Sequence, residues 1–513
     1  MAIQLDGTRL TLEEFFGAVI DAEPVVLSTT ARETMNVSRA VIERIVDAAD
    51  TGPHIAGTYG VNTGVGKMAA TRISPKEIRN LQLNLVRSHA CGVGAPLSET
   101  ETRAMLLLRS NSLAKGFSGV RPLVVESLLE LLNRGIHPIV PSQGSVGASG
   151  DLAPLAHLAL VLIGEGQAIF QGNTLGGGTA LEQAGLKPLA LEAKEGLALL
   201  NGTQAMLSLL TLALREAEIA ANTADLAAAL SLDALRGSPA AFDPRIAQVR
   251  PHPGHAVSAR NLERLSRGSE IRESHRSAAR DPRVQDAYSL RCAPQVHGAA
   301  RDALEAVRKV IAIEMNSATD NPLVFVNDKA GEVISGGNFH GQPLAMAADQ
   351  MAVALAVLGG ISERRIEQMT NPQTSLLPAF LVREAGLNSG FMILQVTAAA
   401  LASELKAQAA ARSIDSIPTS ANQEDYVSMG MGGARRLAPM LENLRSILAI
   451  ELLAACQGID FLAPLKTGPE AHKAYQIVRA ISPRVDADRS LSPDIAAVAR
   501  AVSAARFDAL LRE

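Results

Sequence analysis

The chain has 513 residues, 47% hydrophobic and 19% charged, with a formal net charge of -4. That composition belongs to a folded globular chain and is far from a disordered one. With no basic excess, 3% aromatic residues and no Trp, it offers neither the electrostatic footprint nor the stacking platforms of a nucleic-acid binder.

The N-terminus, Met1-Ala2-Ile3-Gln4-Leu5-Asp6, lacks the basic region and apolar run of a secretion signal. Cys91, Cys292 and Cys456 lie far apart and read as reduced thiols of a cytoplasmic protein. Residues 51–66 carry five Gly and one Pro and read as loop. Residues 101–109 are rich in helix formers, and residues 205–235 are dominated by Ala and Leu without Pro or Gly, with Gly202-Thr203 marking a start. Residues 250–283, with Pro251, Pro253 and Pro282, read as a charged connection carrying short helices. Helical character returns over 301–316 and 342–367. The apolar stretch 344–359 holds Asp349 and many Ala, which predicts a buried helix too short and mixed for a bilayer. Leu437, Met440, Leu441, Leu444, Ile447, Leu448 and Leu452 recur at helical spacing and make one face of a bundle helix. The expected fold is mainly α. A smaller mixed N-terminal domain, residues 1–190, contains the reactive loop described next, and residues 191–513 form a long helical bundle.

The segment Gly144-Ser145-Val146-Gly147-Ala148-Ser149-Gly150-Asp151-Leu152 is the most informative. The twenty side chains include no strong electron sink, so such chemistry usually needs a cofactor. The Gly150 amide nitrogen, unhindered by a β-carbon, can close on the carbonyl two residues earlier if the turn is tight. Loss of the Ser149 hydroxyl as water then leaves a methylene conjugated with the new ring, which is an electrophile. Gly144 and Gly147 permit the sharp path. On composition alone the segment is equally an ordinary surface loop.

Other residues are ambiguous when taken singly. Tyr59 lies in a Gly-rich turn whose Gly66-Lys67-Met68 ending and lack of Gly at position 61 exclude a phosphate loop. Gln285, Tyr288 and Arg291 recur every three residues and share a face if helical. There Arg291 offers a planar fork to a carboxylate; a satisfied polar cluster is the alternative. Asn201 fits a helix cap, Phe339 a core aromatic, and His89 and Glu424 ordinary surface or capping residues. Asp151 either polarises the loop backbone or caps a helix from Leu152. His252, His255 and His275 form no short metal motif, and His252 and His255 around Pro253-Gly254 read as a surface turn. No metal site is expected.

Several long motifs in one order, from Thr58-Tyr59-Gly60-Val61-Asn62-Thr63-Gly64 through Ala148-Ser149-Gly150 to the helix around Glu451, resemble the aromatic amino acid ammonia-lyase family, its histidine-directed branch in particular. The resemblance covers nearly the whole chain and implies an aspartase/fumarase-like helical fold. It implies that Ala148, Ser149 and Gly150 mature to a methylidene-imidazolone, crosslinked between Ala148 and Gly150 and derived from a modified Ser149, with no diffusible cofactor. Tyr59 becomes a candidate base beside the electrophile, with Tyr288 and Glu424 as alternatives. Tyr288 and Gln285 neighbour the methylene, Asn201 binds the ring carbonyl and substrate, and Phe339 walls the pocket. His89 and Glu424 orient an imidazole, which has two ring nitrogens to satisfy.

The implied reaction converts L-histidine to trans-urocanate and ammonia in a homotetramer with shared sites, without nucleic acid or membrane partners. Phenylalanine or tyrosine lyases and an aminomutase are the alternatives. Val65 stands where Phe is common, Tyr426 where His is common, and Gly341-Gln342 where Ala-Glu is usual, so substrate breadth is the property these departures touch.

Overall fold

The computed structural model describes residues 2–50, 57–277, 281, 283–327 and 330–511. Residues 51–56 of the expected 51–66 loop and Pro282 lie outside the described residues. The chain divides into two compact units. The first comprises 1–212, 309–348 and 411–435, and the second 213–308, 349–410 and 436–513. This differs from an expected division at 190/191, because two late segments return to the first unit. Helical periodicity reports which face of a helix is apolar, not which unit a later loop rejoins.

The first unit is mixed. It holds short paired strands, among them a parallel pair Ile3–Leu5 with Val25–Leu27 and a three-stranded antiparallel sheet ordered His137–Pro138, Gln167–Phe170, Asn173–Gly176. Its Glu99–Ala114 helix starts at a capping box, in which the Ser98 side chain accepts from the Glu101 backbone and Glu101 returns the bond to Ser98. From Ala104 onward this helix is buried on all sides, as a central helix must be. Val61 packs with Val41, Ile42, Ile78, Ala193 and Val324, which fixes the turn carrying Tyr59.

Long helices dominate the second unit. Met392–Gln408, Leu437–Asp460, Pro469–Ile481 and Ser492–Ser503 lie wholly within it, together with most of Gln342–Thr370. All seven apolar positions expected on the 437–460 helix are buried; each such Leu or Ile contributes roughly 1.5–3 kcal/mol of transfer free energy. Gly359 permits the close approach of the 392–408 helix, since a β-carbon there would lie 2.5 Å from Leu405 Cδ1.

The 342–370 helix is 29 residues long and apolar enough by length and composition to cross a membrane, so the expectation that the stretch is too short does not hold. Its most apolar window is nevertheless 56% buried inside the protein. It also carries Arg365, fully buried against Glu451, as a core helix does.

Two further expectations change. Residues 250–283 contain a 14-residue helix, Pro253–Ser266, begun by Pro at its first turn. His255 is consequently buried in that helix rather than in a surface turn, with Nε2 3.1 Å from Gln295 Nε2. Gln285 lies outside the helix at Tyr288–Arg291, because Ala287 is extended (φ -59, ψ 152).

Candidate active site

The 144–150 loop links the Pro141–Gln143 strand to the Leu152–Leu162 helix. Gly144, Gly147 and Gly150 take φ of +133, +71 and +74, conformations open to glycine and strained for other residues. A β-carbon on Gly150 would lie 2.2 Å from Gly202 O, and one on Gly147 2.2 Å from Ser428 Oγ. Backbone distant in sequence thus closes around the loop. The Gly147 carbonyl accepts from Ser428 Oγ (3.1 Å) and Gly341 N (3.2 Å), the Val146 carbonyl accepts from Met429 N (2.8 Å), and Asp151 N donates to Gly202 O (2.7 Å).

Ser149 is half-buried between two of the expected residues. Its Oγ donates to Glu424 Oε1 at 2.7 Å, and Asn201 Nδ2 donates to its carbonyl at 2.9 Å. Thr419 Oγ1 donates to Glu424 Oε2 at 2.6 Å, so both carboxylate oxygens are held. Asn201 ends the Glu195–Leu200 helix, where φ -90 and ψ 101 turn its side chain out of the ladder. Its Oδ1 is buried with no partner among the described residues, and an acceptor so placed costs about 1–3 kcal/mol unless something donates to it.

Tyr59 is half-buried with its hydroxyl accepting from Gly66 N at 3.1 Å. A β-carbon on Gly66 would come within 3.1 Å of Ser420 Oγ, so the Tyr59 turn abuts the segment that leads into Glu424. His89 closes the Ile78–His89 helix, and its Nδ1 lies 2.8 Å from the Leu85 carbonyl. A carbonyl only accepts, so Nδ1 carries the hydrogen and Nε2 of the neutral ring is an acceptor. Phe339 is half-buried in the turn just before Gly341, the residue bonded to the loop.

The three departures also lie in the first unit. Val65 precedes the Gly66–Met68 turn, Gln342 Nε2 donates to Ser413 O, and the Tyr426 ring stacks on His340 with centroids 6.2 Å apart. The second unit carries Gln285, Tyr288 and Arg291. Gln285 is exposed, and the Arg291 guanidinium lies over the Tyr288 ring, 4.5 Å from its centroid.

The aromatic amino acid lyase family model matches residues 10–480 of this chain. The chain belongs to the aromatic amino acid lyases. A histidine ammonia-lyase of Koribacter versatilis is 55% identical over 522 residues, covering 100% of this chain and 99% of that protein. Among solved structures, histidine ammonia-lyase from Trypanosoma cruzi is 43% identical with a TM-score of 0.90, covering 100% of this chain and 95% of that one. A tyrosine aminomutase from Streptomyces globisporus is 38% identical with a TM-score of 0.93, covering 99% of this chain and 98% of that one.

Membership implies the self-formed methylidene-imidazolone typical of these lyases. The loop of this lyase fits such a group on two counts: the space that a Gly150 side chain would need is filled by Gly202, and Asn201 Oδ1 is a buried acceptor to which none of the described residues donates.

Sequence reasoning left Asp151 open and missed Ser145 and Ser428. Asp151 does not cap the 152–162 helix with its side chain. Its carboxylate instead accepts from Met206 N (2.8 Å) and Ser145 Oγ (2.7 Å), and Ser145 Oγ accepts in turn from Gly147 N (3.1 Å). The glycine-rich run Ser428-Met429-Gly430-Met431-Gly432-Gly433 was the available signal for Ser428, and at Gly430 a β-carbon would lie 2.6 Å from Met206 Sδ.

Burial pushes the Asp151 carboxyl up to about 6 from its ordinary 3.8, against the hydrogen bonds from Met206 and Ser145, which lower it. Because the folded value is raised, its contribution to stability is fully present below about pH 4 and is lost as pH rises through about 6. A difference of roughly two units corresponds to about 3 kcal/mol. Asp151→Asn is expected to remove this dependence, so that the Tm advantage of wild type over the variant shrinks between pH 4 and 7. Parallel Tm profiles for the two proteins would contradict it.

Proposed function

We propose that this chain eliminates ammonia from L-histidine to give trans-urocanate, using an electrophile that forms from Ala148, Ser149 and Gly150. One observation carries the reading: Ser149, in a glycine loop closed by Gly202, lies in hydrogen-bond contact with both Asn201 and Glu424. Once formed, the conjugated methylene supplies the electron sink that side chains lack.

The chain's own groups do the rest. Arg291 pairs with the substrate carboxylate through its fork, and Asn201 Oδ1 accepts from the substrate amine. Gln285 and Phe339 line the bound substrate. His89 and Glu424 orient the two nitrogens of the imidazole ring, and a phenyl ring would leave both side chains unpaired. Tyr59 takes the β-proton, its hydroxyl already polarised by Gly66 N–H at 3.1 Å, with Tyr288 and Glu424 as the alternative bases.

The protein works in the cytoplasm as a homotetramer whose sites are shared between subunits. Exposed Val353 and Val357 on the 342–370 helix, and Ile393 and Val396 on the 392–408 helix, are apolar surface that such packing would cover.

Phenylalanine or tyrosine deamination, or a 2,3-aminomutase reaction, is the second reading. Tyr426, placed two residues after Glu424, and the 38% identity to a tyrosine aminomutase favour it. Purified protein, with the light-scattering mass of four chains, is incubated separately with L-histidine, L-phenylalanine and L-tyrosine. A kcat/KM for histidine at least about a hundredfold above the others is expected, the scale set by leaving buried polar groups unpaired. Faster turnover of an aryl substrate, or a β-amino acid product, would reject the histidine reading.

A further inference from the structure

The second unit contains a polar network, buried at its centre, that the proposed reaction does not use. Arg365 on the 342–370 helix forks onto Glu451 of the 437–460 helix, with Nε to Oε1 at 2.5 Å and Nη2 to Oε2 at 3.0 Å. Ser231 and Ser362 hydroxyls donate to the same carboxylate at 2.8 and 2.5 Å. The remaining nitrogen of Arg365, Nη1, faces His297 Nε2 (3.3 Å) and the backbone carbonyl of Ser289 (3.3 Å). His297 Nδ1 in turn lies 2.8 Å from Asp225 Oδ1, whose other oxygen is held by Arg301 and Asn261.

A guanidinium only donates, so His297 Nε2 accepts and Nδ1–H is given to Asp225. Burial lowers the His297 pKa and keeps the ring in that neutral form. With His297 neutral, the two carboxylates are balanced by Arg301 and Arg365.

Buried ion pairs of this kind are weak evidence for stability, since well-packed apolar residues of similar volume often serve as well. What distinguishes this one is its end point. Ser289 sits between Tyr288 and the turn that carries Arg291, and that helix is only four residues long. A single turn is marginal alone, and Pro294 has no N–H to extend the ladder back to Leu290. The segment is also tied by the buried Leu290 side chain and through Asp286, which accepts from Ser238 N at 2.6 Å and whose carbonyl accepts from Arg291 Nε at 3.1 Å.

We propose that Arg365, clamped by Glu451 and His297, is a positioning residue that holds the Ser289 carbonyl and thereby sets the Tyr288–Arg291 turn to receive the substrate carboxylate. This rests on the reading of Arg291 as the carboxylate partner.

The test compares Arg365→Met/Glu451→Met, which replaces the pair by apolar side chains of similar length, with Arg365→Lys, which keeps the charge but loses the planar fork. Histidine KM is expected to rise on the order of ten- to a hundredfold in the double variant. kcat, the intact mass of the chain and inhibition by histamine, which has the ring and amine but no carboxylate, stay near wild type. Arg365→Lys gives a smaller KM rise and decides the matter if the double variant does not fold.

A folded variant with wild-type histidine KM would overturn the proposal, as would equal losses for histidine and histamine. Arg291→Ala separates the two levels. If it leaves KM unchanged, the carboxylate reading itself fails; if it raises KM while the Arg365 variants do not, only the positioning role fails.

Discussion

Ser149→Ala is expected to lower histidine turnover by on the order of a thousandfold or more, the scale of losing a group through which the reaction passes. The reason is atomic. In the proposed maturation, ring closure joins Gly150 N to the Ala148 carbonyl carbon, and that oxygen leaves as water with the two amide hydrogens. The second water takes the Ser149 hydroxyl and its α-hydrogen, leaving the methylene. Alanine has no hydroxyl to lose, so no methylene can form.

The fold should survive the change. The Asn201 bond goes to the backbone carbonyl of residue 149, and the loop's other ties run to Gly202, Gly341, Ser428 and Met429. The hydroxyl that donates to Glu424 Oε1 before maturation is one that wild type gives up when the methylene forms, so its absence removes no tie from the mature loop. A variant with wild-type Tm and unimpaired urocanate production would remove Ser149 from the chemistry.

Glu424→Gln should produce the second largest effect, a fall in histidine kcat/KM of roughly a hundred- to a thousandfold. Gln keeps the shape, and its amide oxygen can still accept from Thr419 Oγ1, which now bonds Oε2 at 2.6 Å. The charge that faces the imidazole is gone, however, and the amide nitrogen presents a donor where an acceptor was. Relative activity toward aryl substrates should therefore rise, because they lose nothing at this position. Steady-state kinetics with histidine and tyrosine on the same preparation test both halves. An unchanged ratio between the two substrates would mean that Glu424 does not read the ring.

Much of the site was legible in the chain because its requirements are local. Three glycines around Ala148 and Ser149 spell out a backbone path that other residues resist, and all three take positive φ. The 437–460 face was equally legible, since burial on a long helix imposes its own period. The resemblance carried Asn201 and Glu424, whose contacts with Ser149 span 52 and 275 residues of sequence; no local pattern reports such a distance.

What escaped was decided by breaks and by returns of the chain. Gln285 has helical spacing with Tyr288 and Arg291, yet the extended Ala287 puts it outside the turn. His255 looked like part of a turn because Pro253-Gly254 usually marks one, whereas Pro at the first helical turn is also a start signal. Asp151 sits where a helix cap belongs, but its carboxylate reaches Met206 and Ser145 instead. Segments 309–348 and 411–435 rejoin the first unit, bringing Gly341, Glu424 and Ser428 to the reactive loop, and nothing in their own composition announces that destination.

The most direct measurement is the mass of the peptide spanning residues 144–151, isolated from freshly purified protein. If Ala148, Ser149 and Gly150 form the electrophile, that peptide is lighter than its sequence by two waters, with the loss confined to those three residues and absent from Ser149→Ala. A peptide of full mass with an intact Ser149, taken from enzyme that converts histidine to urocanate, would contradict the central claim.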